Sequence, residues 1–468
     1  MISFVVIGIT DNPNPWFPPE VMEVIKQGRV FSGGKRHHEI VASLLPAGAE
    51  WIDITVPLDA VFEQYKTIPQ QTHPLTPPCE GGEYIAPSGR QVTAPFPNRE
   101  GQRGGSIIVF ASGDPLFFGF ANTIKRKMPE ADIVVYPTFN SLQMLAHRLV
   151  MPYHDMRIVS LTGRPWPEFD KALIERAEKI GILTDKEHTP AAIAQRMLEY
   201  GYTYYTMHVG EHLGNPALEK VTTLTLNEAA NREFSMPNCV ILNANYHELN
   251  TNFSQKNIND HSWPINGNSC LKNRVFGIPD QEFTLLDGRE KMITKMPIRL
   301  LTLQALDLPR RHVFWDIGFC TGSVSIEARL QFPHLQIEAF EIRPECETII
   351  HENARRFGAP GIDVHMGDFC SVCCDDIATN GTPDAVFIGG HGGHLKEIMA
   401  KVLTVLAPGG VIVFNSVTSS VVEQVTERKS SRELWDEACR ELGLQQEPPL
   451  RIQLNNYNII EILKSTIQ

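Results

Sequence analysis

The chain has 468 residues, more than one hydrophobic core ordinarily supports, so at least two domains are expected. Its 42% hydrophobic and 21% charged content excludes a disordered chain, and 54 acidic against 42 basic residues, a net charge of −12, argue against nucleic acid as the main partner. Nine cysteines are too sparse for a disulfide scaffold, residues 1–10 read as a strand without a secretory n-region, and no apolar run approaches the ~18 residues of a membrane span, so a cytoplasmic protein is expected.

Strands are predicted at 2–9 and 29–33, alternating with helices at 19–27 and 36–45, a pattern that implies parallel strands. Between 67 and 105 the sequence turns to Pro, Gly, Gln and Thr without periodicity, which reads as a surface insertion. Strands return at 107–111, 133–136, 157–161 and 180–183, each followed by a helix-like segment, and 238–243 closes this half. The polar, Asn-rich run that follows has linker composition, which divides the chain into domains at 1–245 and 274–468 joined by a linker at 246–273. Each half has enough strands and helices for its own core, so the two should be separable. In the second half strands are predicted at 313–317, 336–341, 362–366, 385–388 and 411–415, with a closing pair at 451–454 and 458–463. That order suits a doubly wound sheet with an antiparallel hairpin at its edge.

WDIGFCTGS (315–323) follows a buried strand and opens a helix, the place where parallel sheets bind nucleotide-like ligands. Asp316 leads the turn, and Glu341 ends the next strand 25 residues later, where a carboxylate can accept from two ribose hydroxyls. Asp368, after the third strand, could take an adenine amino group. A dinucleotide fingerprint needs glycine at 318, 320 and 323, but Cys320 and Ser323 stand there, which disfavours NAD. A methyltransferase turn, acidic-x-Gly-x-Gly-x-Gly, is met at Asp316, Gly318 and Gly322 with Cys320 as its departure. The plain alternative is a turn that merely joins strand to helix.

With that turn occur IPDQEF (278–283), ITK (293–295), GDF (367–369), DAVFIGGHGG (384–393) and FNSVT (414–418). In this combination the segment from about 276 to 468 resembles the decarboxylating methyltransferases of corrin-ring biosynthesis. The resemblance implies that Thr294, Gly318, Thr321, Gly322, Glu341 and Phe369 contact S-adenosylmethionine, and that Gly389 and Gly390 approach the substrate.

In the first half ASGDPLFFG (111–119) ends a strand and breaks into a helix. Gly113 and Pro115 fix a bent loop that presents backbone groups, and Asp114 adds a negative charge. With GGKRHHEI (33–40), NSLQMLAHRLVMPYHD (140–155), LTGRP (161–165), ILTDKEHTPAAIA (182–194) and GEHLGNP (210–216), it resembles the tetrapyrrole methylases, and among them those acting at C5 of the precorrin ring. The resemblance implies a cofactor cradle of Ser112, Gly113, Asp114, Pro115, Phe117 and Ser141. Two departures are GITDNPNP (8–15) in place of a Gly-rich first turn, and Pro137-Thr138 in place of Pro-Gly.

Taken together the two halves resemble the fused precorrin-6Y C5,15-methyltransferases. The implied fold is α/β: a tetrapyrrole methylase fold of two α/β lobes, then a doubly wound, Rossmann-like class I methyltransferase domain. The implied chemistry is methylation at C5 by the first half, and methylation at C15 with loss of the C12 acetate carboxylate by the second. Two S-adenosylmethionine sites per chain, a tetrapyrrole substrate and a homo-oligomer go with it. Candidate cations for the substrate carboxylates are Arg36, Arg148, Arg164, Lys291, Lys295 and Arg299. Methyl transfer needs alignment more than a strong base, so no triad is expected and no catalytic residue is assigned. Cys370, Cys373 and Cys374 lack a second ligand pair, His391 and His394 are separated by glycines, and His37-His38 read as a solvated helix start, so no metal is expected. Two other readings are a methylase of a different small molecule and a non-catalytic sensor or scaffold that binds S-adenosylmethionine.

Overall fold

The computed structural model describes residues 2–68, 106–245, 276–289, 291–377, 381–417, 429–454 and 458–467. Nearly all of the expected insertion at 67–105 and the whole expected linker at 246–273 lie outside the described residues, as does Thr418 of the FNSVT motif.

Strands β1 (Ser3–Ile9), β2 (Val30–Gly33), β3 (Glu50–Asp53), β4 (Ser106–Ser112) and β5 (Asp132–Tyr136) form a parallel sheet in the order β3-β2-β4-β1-β5. The two central strands are continuous apolar runs because helices cover both faces. The helix Pro19–Gln27 packs Val21 and Ile25 against Phe31 and Phe110 on one face, and the helix Leu58–Thr67 packs Val61, Phe62 and Tyr65 on the other. In-register pairing of Gly8 with Ala111 and Ile9 with Ser112 ends both strands at one level, so their following turns lie side by side.

A second sheet holds β6 (Arg157–Ser160), β7 (Lys179–Leu183), β8 (Tyr205–Glu211), β9 (Lys220–Thr225) and β10 (Asn238–Ala244) in the order β6-β7-β10-β8-β9. Only β6 and β7 are parallel; β10 runs antiparallel to both its neighbours. Strands β3, β8 and β9 were not foreseen. The cue was present in YTMHVGE and KVTTLT, whose Tyr, Val and Thr favour a pleated surface.

The third sheet is formed by β11 (Val313–Ile317), β12 (Gln336–Glu341), β13 (Ile362–Met366), β14 (Ala385–Ile388), β15 (Val411–Val417), β16 (Gln445–Gln446), β17 (Leu450–Ile452) and β18 (Ile460–Thr466). Its order is β13-β12-β11-β14-β15-β18-β16, with β17 on β18. The first five strands are parallel, and the order reverses between β11 and β14, the switch point at which open α/β sheets bind ligands. The closing strand differs from a simple edge hairpin: β18 pairs antiparallel along all of β15 and carries β16 and β17 on its other side.

The second lobe touches the third sheet's layer through a buried seam. Tyr202 donates its hydroxyl to the Gly358 carbonyl at 2.7 Å, and Arg355 meets Glu199 at 2.9 Å. Asp170 is fully buried with two bonds from Arg196 at 2.7 and 2.6 Å, and the buried Arg329 lies in its field. A Cβ at Gly361 would stand 2.8 Å from Arg329 Nη2 and 2.9 Å from Asp170 Oδ2, so a larger residue would push those side-chain ends aside, and its φ of +80 favours glycine. Among the described residues no helix is long and apolar enough to cross a membrane.

Candidate cofactor and substrate sites

At the switch point β11 carries Asp316 into the core with 0% exposure. Its Oδ2 accepts from Ser325 Oγ at 2.5 Å, while Oδ1 has no partner. Burial pushes this carboxyl up to about 7; the Ser325 hydrogen bonds pull it back and the nearby Glu341 charge raises it again. The turn then runs through Gly318 at φ +80, where a Cβ would lie 2.6 Å from Gly390 N, so only glycine admits this close approach. Gly389 donates to the Ile317 carbonyl at 2.8 Å, which seats the Gly389-Gly390 loop against the turn. Gly322 at φ +71 starts the helix Ser323–Gln331.

Glu341 closes the other side. Its Oε2 accepts from Cys320 N at 2.9 Å, and its Oε1 from Ile342 N and Arg343 N at 2.9 and 3.2 Å, with Arg343 Nη1 at 3.5 Å from Oε2. Those amides fix the carboxylate before any ligand arrives. Cys320 sits at φ +52, a left-handed conformation that costs an L-residue roughly 1–2 kcal/mol, so it takes up glycine's backbone shape at a price in strain. Thr321 is buried with its carbonyl bonded to Asn353 Nδ2 at 3.0 Å and its hydroxyl unpartnered.

Around this turn the other expected contacts are less open. Asp368 is exposed but caps its own turn, accepting from Cys370 N at 3.0 Å and Ser371 Oγ at 3.1 Å. The Phe369 ring is packed edge-on to Phe340 and Trp315, with centroids 5.1 and 6.1 Å away. Thr294 offers its carbonyl to Arg299 Nη1 at 3.0 Å. Arg299 itself is fully buried on Glu327, Asp280 and the Ile278 carbonyl, so this candidate substrate cation is a structural one. Lys295 stands 3.8 Å from Asp280, and Lys291 is exposed.

In the first half three turns converge. A Cβ on Gly8 would lie 2.1 Å from the Gly113 carbonyl oxygen and 2.8 Å from Thr138 N, so the ends of β1, β4 and β5 close on one point. Gly113, at φ +61, donates to the Ile9 carbonyl at 2.8 Å, and Asp114 accepts from Leu116 N at 2.9 Å to bend the loop. Gly119 approaches Pro115 so closely that a Cβ would lie 2.4 Å from its carbonyl oxygen. Asn140 caps the helix Ser141–Arg148 in a reciprocal box with Gln143 and itself lies against Gly113, so Ser141 opens the helix one residue beyond that contact. Phe117, Phe118, Arg126 and Arg164 help to line a cavity of about 310 Å³, with Arg164 stacked 5.3 Å over the Phe118 ring.

The second lobe reaches this point through GEHLGNP. Asp11 bonds Arg36 Nη1 at 2.7 Å with one oxygen and His212 Nδ1 at 2.9 Å with the other, tying the lobes together. Arg36 Nη2 and His37 Nε2 both lie 2.9 Å from Ser112 Oγ. Burial, then the Arg36 charge, brings His37 down to about 4, so it is a neutral, bonded imidazole rather than a solvated helix start. Asp11 and His212 are not among the sequence-based candidates, whereas His37 is, as the start of a helix beside Arg36. Arg148 does not join them, because Glu219 holds its guanidinium at 2.5 and 3.1 Å and also takes Gly214 N.

Cys374 is buried, Cys370 half-buried and Cys373 exposed, and among the described residues no group of three His, Cys, Asp or Glu side chains is arranged to hold a metal ion.

A family model described as tetrapyrrole (corrin/porphyrin) methylases matches residues 4–230, and one described as precorrin methyltransferase domain matches residues 287–434. A precorrin-6Y C(5,15)-methyltransferase [decarboxylating] of Sinorhizobium sp is 28% identical over 416 residues, covering 89% of this chain and 85% of that protein. The chain belongs to the precorrin-6Y C5,15-methyltransferase family. It is therefore a methyltransferase with a tetrapyrrole methylase half and a precorrin methyltransferase half. A cobalt-precorrin-6B C(15)-methyltransferase (decarboxylating) of Salmonella typhimurium is 39% identical over 132 residues, 28% of this chain and 66% of that one. A solved precorrin-6y C5,15-methyltransferase of Geobacter metallireducens is 32% identical, covering 40% of this methyltransferase and 96% of its own chain, with a TM-score of 0.34.

Proposed function

We propose that the chain methylates a precorrin-6Y-class tetrapyrrole twice: at C5 in the cleft of the first half, and at C15, with loss of the C12 acetate carboxylate, at the turn of the second. The observation that carries this reading is the pair of separate glycine-built turns, each at the carboxyl edge of a parallel sheet and each inside its own matching family segment. A division into units at 1–245 and 274–468 around a linker at 246–273 goes with this reading, because the two family segments end at 230 and begin at 287.

Two S-adenosylmethionine sites per chain follow from this reading. The second turn fits the cofactor because it offers an unpartnered buried carboxylate oxygen on Asp316, a fixed carboxylate on Glu341 and a cradle that a Cβ at Gly318 would fill. Thr294, Thr321, Gly322, Asp368 and Phe369 complete the proposed set there, and Ser112, Gly113, Asp114, Pro115, Phe117 and Ser141 form the first. When bound, the cofactor supplies a methyl group on a sulfonium. The chain's residues hold it in line with the acceptor carbon and exclude water. Arg36, Arg164 and Lys295 supply cations for the substrate carboxylates, with Gly389 and Gly390 giving backbone approach. The net charge of −12 and the free cysteines among the described residues support a cytosolic enzyme that takes no nucleic acid.

Mass spectrometry of the products tests the division of labour. The parent chain should add two methyl groups and release carbon dioxide. Asp114→Ala should remove one methyl and spare carbon dioxide release, whereas Gly318→Ala should abolish that release. Loss of decarboxylation in a folded Asp114→Ala chain would overturn the assignment.

A further inference from the structure

Ser112 ends β4 with its side chain exposed at the mouth of the first cleft. A serine hydroxyl has one proton to give and two lone pairs to fill. Arg36 Nη2, 2.9 Å away, can only donate. His37 is assigned the same role by its other nitrogen: Nδ1 accepts the Gly34 N–H at 3.3 Å and so carries no proton. In the neutral ring the proton then sits on Nε2, 2.9 Å from Ser112 Oγ. The Phe110 carbonyl that also faces this ring is an acceptor, which suits a ring N–H and not a lone pair.

Both close neighbours of the hydroxyl are thus donors, and neither can take its proton. Arg36 is held from behind by Asp11 at 2.7 Å, and Asp11 is held in turn by His212 of the second lobe at 2.9 Å, so the arrangement does not swing with a single side chain. The result is an exposed O–H whose direction is set by what it cannot bond. It lies beside a guanidinium, where an anionic acceptor is favoured.

We propose that Ser112 is a fixed hydrogen-bond donor for a carboxylate bound in the first cleft, oriented by Arg36 and His37 acting as positioning residues. This rests on the reading of the cleft as a methylation site, whose two ligands both carry carboxylates: the acetate and propionate arms of the tetrapyrrole, and the amino-acid end of the cofactor.

Binding to the full-length chain separates these sources. Calorimetry with S-adenosylhomocysteine and absorbance titration with cobyrinic acid, a corrin polycarboxylic acid, are compared for the parent, Ser112→Ala and Ser112→Thr. Ser112→Ala should weaken one of the two ligands about tenfold to a hundredfold, and Ser112→Thr, which keeps the hydroxyl, should restore it. The ligand that weakens names the source. If it is the corrin, its methyl ester should bind the parent and the alanine variant alike. The proposal is overturned if the alanine variant binds both ligands as the parent does, if threonine fails to restore binding, or if the esterified corrin shows the same loss. None of these arms measures methyl transfer, so an inactive parent chain would defeat the functional reading while leaving this result to stand on its own.

Discussion

The two cofactor turns solve the same proposed problem by opposite means. The second is written in one continuous stretch, Asp316 to Gly322, and is buried at a single sheet's switch point; backbone conformation sets its shape. The first is assembled from the ends of β1, β4 and β5 together with a loop of another lobe, and its alignment depends on Asp11 pairing with Arg36 and His212 at its rim. A site made by local backbone resists solvent conditions but not substitution of its glycines. A site aligned by one carboxylate that holds a guanidinium in its own lobe and an imidazole of the next tolerates sequence change nearby but depends on that carboxylate.

The largest effect is expected at Glu341, which is buried with three backbone amides bonded to it. Glu341→Ala should cost about 1.5–3 kcal/mol of cofactor affinity, roughly ten- to a hundredfold, at the second site alone. Calorimetry with S-adenosylhomocysteine that finds both sites weakened would erase the contrast between them.

A pH titration sharpens it further. The Asp316 carboxyl is pushed from 3.8 to about 7 by burial, so the native chain keeps a proton that the unfolded chain releases. Its contribution to stability is therefore greatest below 3.8 and declines as the pH rises toward about 7. Affinity for the cationic cofactor at this turn should rise only at the upper end of this range, as the pH passes through about 7, because only there does the folded carboxyl ionise and attract the ammonium. Denaturation and calorimetry across that range should show both trends in the parent chain and neither in Asp316→Asn.

The smallest effect belongs to the first site. Asp11→Ala removes a part-exposed ion pair to Arg36 and a hydrogen bond to His212, each worth about 1 kcal/mol or less, so affinity there should fall several-fold and the second site should not change. Raising the salt concentration should reproduce part of that loss at the first site only.

What could be read from sequence follows the same division. The strand bounds at 313–317, 336–341, 362–366 and 385–388 match the structure because VFWDI and AVFI are short, largely apolar runs and QIEAFE and IDVHM alternate apolar with polar residues, and the Gly318 to Gly322 turn is a local pattern. β3 and β9 escaped because they are short or half-polar and gain their stability from neighbours. The Asp11 cluster escaped for a related reason: its partners lie 25 and 201 residues away, and only the tertiary fold brings them together. Arg148 and Arg299 show the converse, since a cation in the sequence carries no sign of whether a carboxylate already holds it.

The seam between Tyr202, Asp170, Arg329 and Gly358 changes what the covalent fusion means. Were the chain cut in its Asn-rich segment, one piece would carry the hydroxyl and the buried acid, and the other the carbonyl and the buried guanidinium. The two exposed faces are complementary, so the pieces retain a reason to reassociate. The peptide link then acts mainly as a tether that raises the local concentration of each face for the other, and split-chain complementation becomes a matter of dose rather than of new chemistry.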